Sequence, residues 1–404
     1  MTQRDPLGIL GLIVADKYRI ERLVGEGGFA LVYRAQHTIW NKPVAIKFFN
    51  QLSSAPAEQR AQFQEAFIQE GALLTELSSE TAGIVQARDI GTYTTPDGSW
   101  MPFMVLEWLE GVTLDACLEQ QRERGGPAWT LAQVLRLLGQ AAAALDVAHG
   151  KGIAHRDIKP ANLFVLGDPQ SGRATLKVLD FGVAKMMSDN TELKAAMAKT
   201  GMNVTSFTPQ YAAPEQFSRT YGATGPWTDV FALALVAVEM LLGRPALDGD
   251  DVMQLAFSSG HPDRRPTPQS LGVGLPDAVE AVFRRALAVD PRQRFHRAGE
   301  FWRALEAVTG SMTVTERGGS LPAIEATQLA PQGYATLQPT LPSAVRVEPA
   351  ATGSPSTSTA PHIGPGRRAG KGAVLTFAGM AVVLAAAGYL FLGGSESSSK
   401  TPSD

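Results

Sequence analysis

Between Ile153 and Leu163 the chain carries a carboxylate, an ammonium and an amide, at Asp157, Lys159 and Asn162. Pro160 bars a regular helix through the middle, and apolar Ile153 and Leu163-Phe164-Val165 flank the polar groups, so they sit on a rigid loop between buried anchors. This set suits phosphate chemistry: Asp157 can accept a hydroxyl proton, Lys159 can neutralise phosphate oxygen, and Asn162 can hold a metal. Asp180-Phe181-Gly182 follows the apolar run Leu176-Lys177-Val178-Leu179, so Asp180 can present a carboxylate to a divalent metal from the end of a buried strand. Gly25-Glu26-Gly27-Gly28 lets the backbone approach a ligand closely, with bare N–H groups able to cradle phosphate. A hairpin turn without a ligand explains those glycines about as well.

The elements that must position these groups are legible as periodicities. Tyr18–Val24 and Leu31–Ala35 read as strands on either side of the glycine turn, a hairpin rather than the strand–helix turn of a dinucleotide site. Val44–Phe49 alternates faces, with Val44, Ile46 and Phe48 on one side and Ala45, Lys47 and Phe49 on the other. A lysine in that setting needs an anion, unless the strand is an edge and Lys47 reaches water. Glu58 to Leu77 is helical, with Phe63, Phe67, Leu74 and Leu77 on one stripe that also contains Glu70. A carboxylate there needs a cation, for which Lys47 is the nearest candidate, or else stands at the wet end of the stripe. Strands recur over 84–109, with a turn at Thr95-Pro96-Asp97-Gly98. Helices follow from about Leu114: Leu131–His149, an apolar helix that Asp229 caps, Pro276–Val289, and a last one through Phe301–Val308. Residues 188–208 lack periodicity and carry Thr191, Thr200, Thr205, Ser206 and Thr208, as a mobile functional segment would.

The chain has 404 residues, 44% hydrophobic, enough for one large or two ordinary domains. A net charge of -3 with no basic block in the first 300 residues argues against nucleic acid as a partner. Cys117 is the only cysteine, so an intrachain disulfide is impossible and a reducing compartment fits. The apolar run Leu7–Ala15 is short and broken by glycines, and reads as a lead-in to the first strand rather than a cleaved signal. Residues 311–365 are rich in Ser, Thr, Pro and Ala, the composition of a disordered linker. Ala373–Leu392 is free of charge and long enough to cross a hydrocarbon core of about 30 Å. Arg367, Arg368 and Lys371 before it place the N-terminal side in the cytoplasm, and Ala381 with Ala385 gives a small-residue pair suited to a homodimer.

The order of signals is a glycine-rich hairpin, strand lysine, helix glutamate, His155-Arg156-Asp157, Asp180-Phe181-Gly182 and Ala213-Pro214-Glu215. In that order the chain resembles the eukaryotic-like (Hanks-type) Ser/Thr protein kinases of bacteria over about three quarters of its length. The resemblance implies an α+β, protein kinase-like bilobal fold with a β-rich N-lobe and a helical C-lobe. Its expected layout is a lead-in (1–17), kinase domain (18–308), juxtamembrane linker (309–372), transmembrane helix (373–392) and short extracytoplasmic tail (393–404). It implies ATP and Mg²⁺, with Mn²⁺ as an alternative, and protein Ser/Thr substrates, for a chain that passes the cell inner (cytoplasmic) membrane once through 373–392 with its kinase domain in the cytoplasm. By the same resemblance Gly25, Glu26, Gly27, Gly28 and Val32 cover the nucleotide, Ala45 meets the adenine, and Glu107 and Leu109 are hinge positions after gatekeeper Leu106. Lys47 takes the α/β-phosphates and pairs with Glu70; Asp157 is the catalytic base, Lys159 contacts the γ-phosphate, and Asn162 and Asp180 hold the metal. His155 becomes structural, Arg156 meets activation-loop phosphate, and Glu215 pairs with Arg294.

There are departures. Ala30 replaces the third glycine, Ser78–Gly83 replaces a His-Pro-Asn turn, and Ala234 stands where a glycine is common. The alternative function, a catalytically weak or inactive pseudokinase scaffold at the membrane, is disfavoured by the intact Lys47, Asp157, Asn162 and Asp180. A small-molecule phosphotransferase is disfavoured by Thr208 before Ala-Pro-Glu.

Overall fold

A computed structural model of the chain describes residues 4–27, 30–50, 57–95, 98–169, 171–181 and 207–317. The chain divides into units 1–324 and 325–404, and every described residue belongs to the first. The linker beyond 317, the expected span 373–392 and the tail lie outside the described residues.

Six strands form one antiparallel sheet: β1 (Ile13–Val14), β2 (Tyr18–Glu26), β3 (Leu31–His37), β4 (Lys42–Phe48), β5 (Ala87–Thr94) and β6 (Trp100–Glu107), in the order β1-β2-β3-β4-β6-β5. Strict alternation drives one face inward: Tyr18, Ile20, Leu31, Tyr33, Ala35, Val44, Ile46, Phe48, Phe103 and Val105 are all buried in a single cluster. Ile9 and Val14, both fully buried, cap that cluster, so the Leu7–Ala15 lead-in is part of the lobe. The opposite face carries Ala45 and Lys47. Register sets Lys47 beside Val32 and Met104, and Ala45 beside Arg34 and Leu106.

Helix α1 (Ala57–Glu80) packs on this second face, burying Phe67, Leu74 and Leu77 as its stripe requires. It runs through Ser78–Glu80, so that departure is helical rather than a turn. Gly83 follows, where a Cβ would stand 2.8 Å from Ala144 Cβ, so only glycine allows this approach. Lys151 pairs with Glu76 and Glu80 at 2.7 and 2.8 Å and ties the end of α1 to the helical lobe.

A small sheet, β7 (Val112–Thr113), β8 (Leu163–Leu166) and β9 (Thr175–Val178), lies at the start of that lobe. Gly111 crosses it so closely that a Cβ would meet the Val165 carbonyl oxygen at 2.1 Å. Helices α2 (Leu114–Glu123), α3 (Leu131–Gly150), α4 (Pro214–Phe217), α5 (Pro226–Leu242), α6 (Val252–Gly260), α7 (Asp277–Ala286) and α8 (Ala298–Arg317) complete it. Thr130 and Gln133 cap α3 reciprocally. Among the described residues α3 is the one helix long and apolar enough to cross a membrane. Here Leu137, Leu138, Ala141, Ala144 and Leu145 are buried at the centre of the lobe. Helix α8 continues past Val308, where the apolar period fades, to Arg317.

Candidate active site

The Asp157 loop leaves α3 through Gly152 and ends in a 3-10 turn, Pro160–Asn162, that runs straight into β8. Pro160 at its start and buried Ile153, Ile158 and Leu163 around it give the rigid, anchored loop expected from the sequence. Asp157 Oδ1 accepts hydrogen bonds from the Thr208 backbone N–H at 3.0 Å and from the Thr208 hydroxyl at 2.9 Å. Lys159 Nζ stands 2.7 Å from Asp157 Oδ2 and donates to Thr208 Oγ1 at 2.7 Å. Asn162 donates its amide to the Asp157 carbonyl at 2.8 Å and to Oδ2 at 3.3 Å. Carboxylate, ammonium, hydroxyl and amide therefore meet at one point.

Lys47, buried in β4, reaches Asp180 Oδ1 at 2.5 Å across the cleft. Burial opposes ionisation of Asp180, but the charge and hydrogen bond of Lys47, with His155 and Lys159 beyond, outweigh it and hold the carboxyl below its usual range. The expected partner of Lys47, Glu70, lies on α1, and its side chain is outside the described residues. Arg156 and Asp180 have φ of 67° and 56°, the left-handed region that costs a non-glycine residue energy and clusters at functional sites.

Above the cleft, Gly25 pairs with Val32, and Gly27 N–H donates to the Ala30 carbonyl at 3.0 Å. Glu26 is exposed and pairs with Arg4 at 3.0 Å, while Gly28 lies outside the described residues, as do Gly182, Thr191, Thr200, Thr205 and Ser206. At the end of β6 the Glu107 carboxylate is taken by Lys177 Nζ at 2.5 Å and the Gln86 N–H at 3.0 Å. The Glu107 N–H donates to the Gln86 carbonyl at 3.0 Å as well. Leu109 packs against the main core.

The protein kinase domain family matches residues 18–300. The chain belongs to the protein kinase family. It is 31% identical over 86% of its length to the serine/threonine-protein kinase PknH of Mycobacterium bovis, covering 53% of that protein. It is 30% identical over 72% of its length to PknE of the same organism, covering 46%. The chain thus spans about half the length of these curated relatives. In fold it is similar to a crystal structure of the Mycobacterium tuberculosis PknI kinase domain carrying two substitutions, with a TM-score of 0.53 and 24% identity, over 74% of this chain and 97% of that one.

Within the kinase domain, Asp229 corrects its reading as a helix cap. Helix α5 starts at Pro226, and Asp229 is fully buried in its first turn. Its Oδ2 accepts the His155 N–H at 2.7 Å and faces His149 Nε2 at 2.8 Å, while Oδ1 accepts the Arg156 N–H at 2.7 Å. It thereby fixes the backbone two residues before Asp157. His155 is fully buried, with Nε2 on the Leu179 carbonyl at 2.8 Å and its ring edge-on to Phe181, which is the structural part the resemblance implies. Gln216 donates to the Arg156 carbonyl at 2.8 Å and its amide oxygen accepts the Ala213 N–H. No sequence period could reveal the bonds of Asp229 and Gln216 to the Asp157 loop, because they join segments distant in the chain.

Burial again opposes ionisation of Asp229, and hydrogen bonding to His149 leads the groups that outweigh it, leaving the carboxyl below its usual range. A depressed folded pKa means that Asp229 stabilises the fold above its unfolded value, about pH 3.9, and loses that contribution as pH falls through the folded value. Asp229→Asn should therefore cost on the order of 1–3 kcal/mol at neutral pH and flatten the acid limb of stability. Urea unfolding from pH 3 to 7 measures both; an acid limb as steep as that of wild type would count against this role for Asp229.

Proposed function

We propose that this protein transfers the γ-phosphoryl group of ATP to Ser and Thr hydroxyls of proteins. The observation that carries the reading is the meeting of Asp157, Lys159 and a threonine hydroxyl. The Thr208 Oγ1–H donates to the Asp157 carboxylate while Lys159 stands against both. A substrate hydroxyl held in the same way gives its proton to Asp157 as its oxygen bonds to the γ-phosphorus. The bond from that phosphorus to the ADP oxygen breaks, and Lys159 balances the charge on the phosphoryl oxygens. Lys47 serves the α/β-phosphates together with Glu70, Gly25, Gly27 and Gly28 cover the phosphates, and Val32, Ala45, Leu109 and the Glu107 backbone enclose the adenine.

The donor set fits a divalent cation. Asn162 spends its N–H groups on Asp157, so its amide oxygen is the group able to ligate, and Asp180 is an ionised carboxylate beside it. Asn162 and Asp180 would hold Mg²⁺, which neutralises charge between the phosphates when bound. Purified full-length protein incubated with γ-labelled ATP and Mg²⁺ should place label on Ser or Thr of itself or a general protein acceptor. Label on tyrosine alone, or none, would sink the reading.

The proposal extends to the membrane. Residues 373–392 are free of charge and follow Arg367, Arg368 and Lys371, which supports a single span with the kinase domain on the cytoplasmic side. Deleting them should release the chain from the membrane fraction of expressing cells; retention would refute the span as the anchor.

A further inference from the structure

A cavity of about 870 Å³ opens on the helical lobe and shares no lining residue with the Asp157 site. Its walls are the turn after α4, the segment following α6, the end of α7 and residues 288–293. Four guanidiniums line it, Arg219, Arg265, Arg284 and Arg292, against one carboxylate, Asp290, which leaves an excess of three positive charges.

The carboxylate is already spent. Asp290 takes bidentate hydrogen bonds from Arg292 at 2.7 to 3.1 Å, which hold its carboxyl down at about 2. Arg219 is exposed and has no ion pair among the described residues, and Arg284 lies 3.9 Å from Glu280, whose other oxygen accepts the Gln269 N–H at 3.1 Å. Arg265 is held only by neutral groups: Nε on the Leu287 carbonyl at 2.6 Å, and Nη1 on the Ser259 and His261 carbonyls at 2.7 and 3.0 Å. Its Nη2 is buried with no hydrogen-bond partner. Burial, with Arg294 nearby, lowers Arg265 to about 10, so it remains a cation at neutral pH. A cation set among carbonyls beside further cations is an electrostatic deficit that an anion in the cavity relieves through its charge.

We infer that this cavity binds the phosphoryl group of a phosphorylated Ser/Thr segment. Planar guanidinium forks match phosphate oxygens in pairs, and a phosphorylated side chain brings roughly 1.5 to 2 negative charges. The volume falls in the range of about 300–1,000 Å³ typical of ligand pockets, far more than a bare phosphate ion fills, so residues flanking the phosphate enter as well. The origin of the ligand rests on the proposed activity, which makes phosphorylated serine and threonine; the site itself does not.

The test uses full-length protein carrying Asp157→Asn, so that self-phosphorylation does not fill the cavity. Calorimetry at fixed ionic strength compares a synthetic peptide of residues 188–206 phosphorylated on Thr200, the same peptide unphosphorylated, and inorganic phosphate. The phosphopeptide should bind at least about ten-fold more tightly than either, and adding Arg219→Gln with Arg284→Gln should weaken it by at least about ten-fold. Both arginines are exposed and lie outside the active site, so the fold and the Asp157 loop stay intact in that variant. Equal binding with and without the phosphate, or binding indifferent to the two substitutions, would overturn the proposal. Inorganic phosphate binding as tightly as the phosphopeptide would do so too, leaving an anion patch. Failure of the kinase reading would show separately, as absent label transfer by wild type, and would leave these titrations unchanged.

Discussion

Asp157→Asn should lower phosphoryl transfer by about 10²–10⁴-fold while leaving the unfolding midpoint close to that of wild type. Asparagine keeps the size of the side chain and one oxygen able to accept the Thr208 N–H, so the loop loses little packing. What it loses is the charge opposite Lys159 and the capacity to take a proton from a hydroxyl donating as Thr208 Oγ1 does. Steady-state kinetics with a protein acceptor, paired with urea unfolding, separate the two effects. A variant with activity within a few-fold of wild type would remove Asp157 from the base role, whatever the fate of the fold. Because the proton leaves the acceptor hydroxyl only as transfer proceeds, the loss should fall on kcat, with the KM for ATP nearly unchanged.

Arg294→Ala carries the largest expected effect on stability. Arg294 and Glu215 have no exposed side-chain surface, and they pair through two hydrogen bonds of 2.8 and 2.9 Å. The guanidinium also donates to the Ala288 carbonyl at 2.7 Å and the Val289 carbonyl at 2.9 Å, and stacks 4.7 Å from the centre of Phe231. Glu215 has one further donor, the Thr228 hydroxyl at 2.8 Å. Truncating Arg294 leaves a buried carboxylate with that single neutral donor, which should cost about 3–5 kcal/mol. Removing both charges should cost less than the sum of the single losses, since most of each loss is the stranded partner. Urea denaturation of Arg294→Ala, Glu215→Ala and the double variant checks this. Single-variant losses below about 1 kcal/mol, or strict additivity, would contradict the stranded-charge account. Glu215 directly follows Ala213-Pro214, and Gln216 holds the Arg156 carbonyl, so the same break should also slacken the Asp157 loop.

The two variants draw on different kinds of sequence information. Asp157, Lys159 and Asn162 are close in the chain, and a proline loop between apolar anchors forces them together, so their meeting could be read directly. Alternation in β4 likewise placed Lys47 with Ala45 on the face opposite Val44, Ile46 and Phe48, because a strand's period is 2 wherever it sits. Family order added the Glu215–Arg294 pair, which no local pattern contains.

Periodicity names a face but not the partner that meets it, and there the tertiary structure decided. Lys47 meets Asp180, 133 residues away, because the segment after β9 delivers that carboxylate to the cleft, while the side chain of Glu70, its expected partner, lies outside the described residues. Asp229 looked like a cap since acids favour helix starts, yet α5 is buried around it and its oxygens go to backbone 73 and 74 residues earlier. The four-arginine cavity has no motif, for its walls come from separate turns of the helical lobe. The order of motifs, through the family it resembles, implied the fold class, and local order brought the polar groups of the Asp157 loop together. Long-range packing alone decided which charges are neutralised and which are left for a ligand, since Coulomb energy depends on distances that only the folded chain sets.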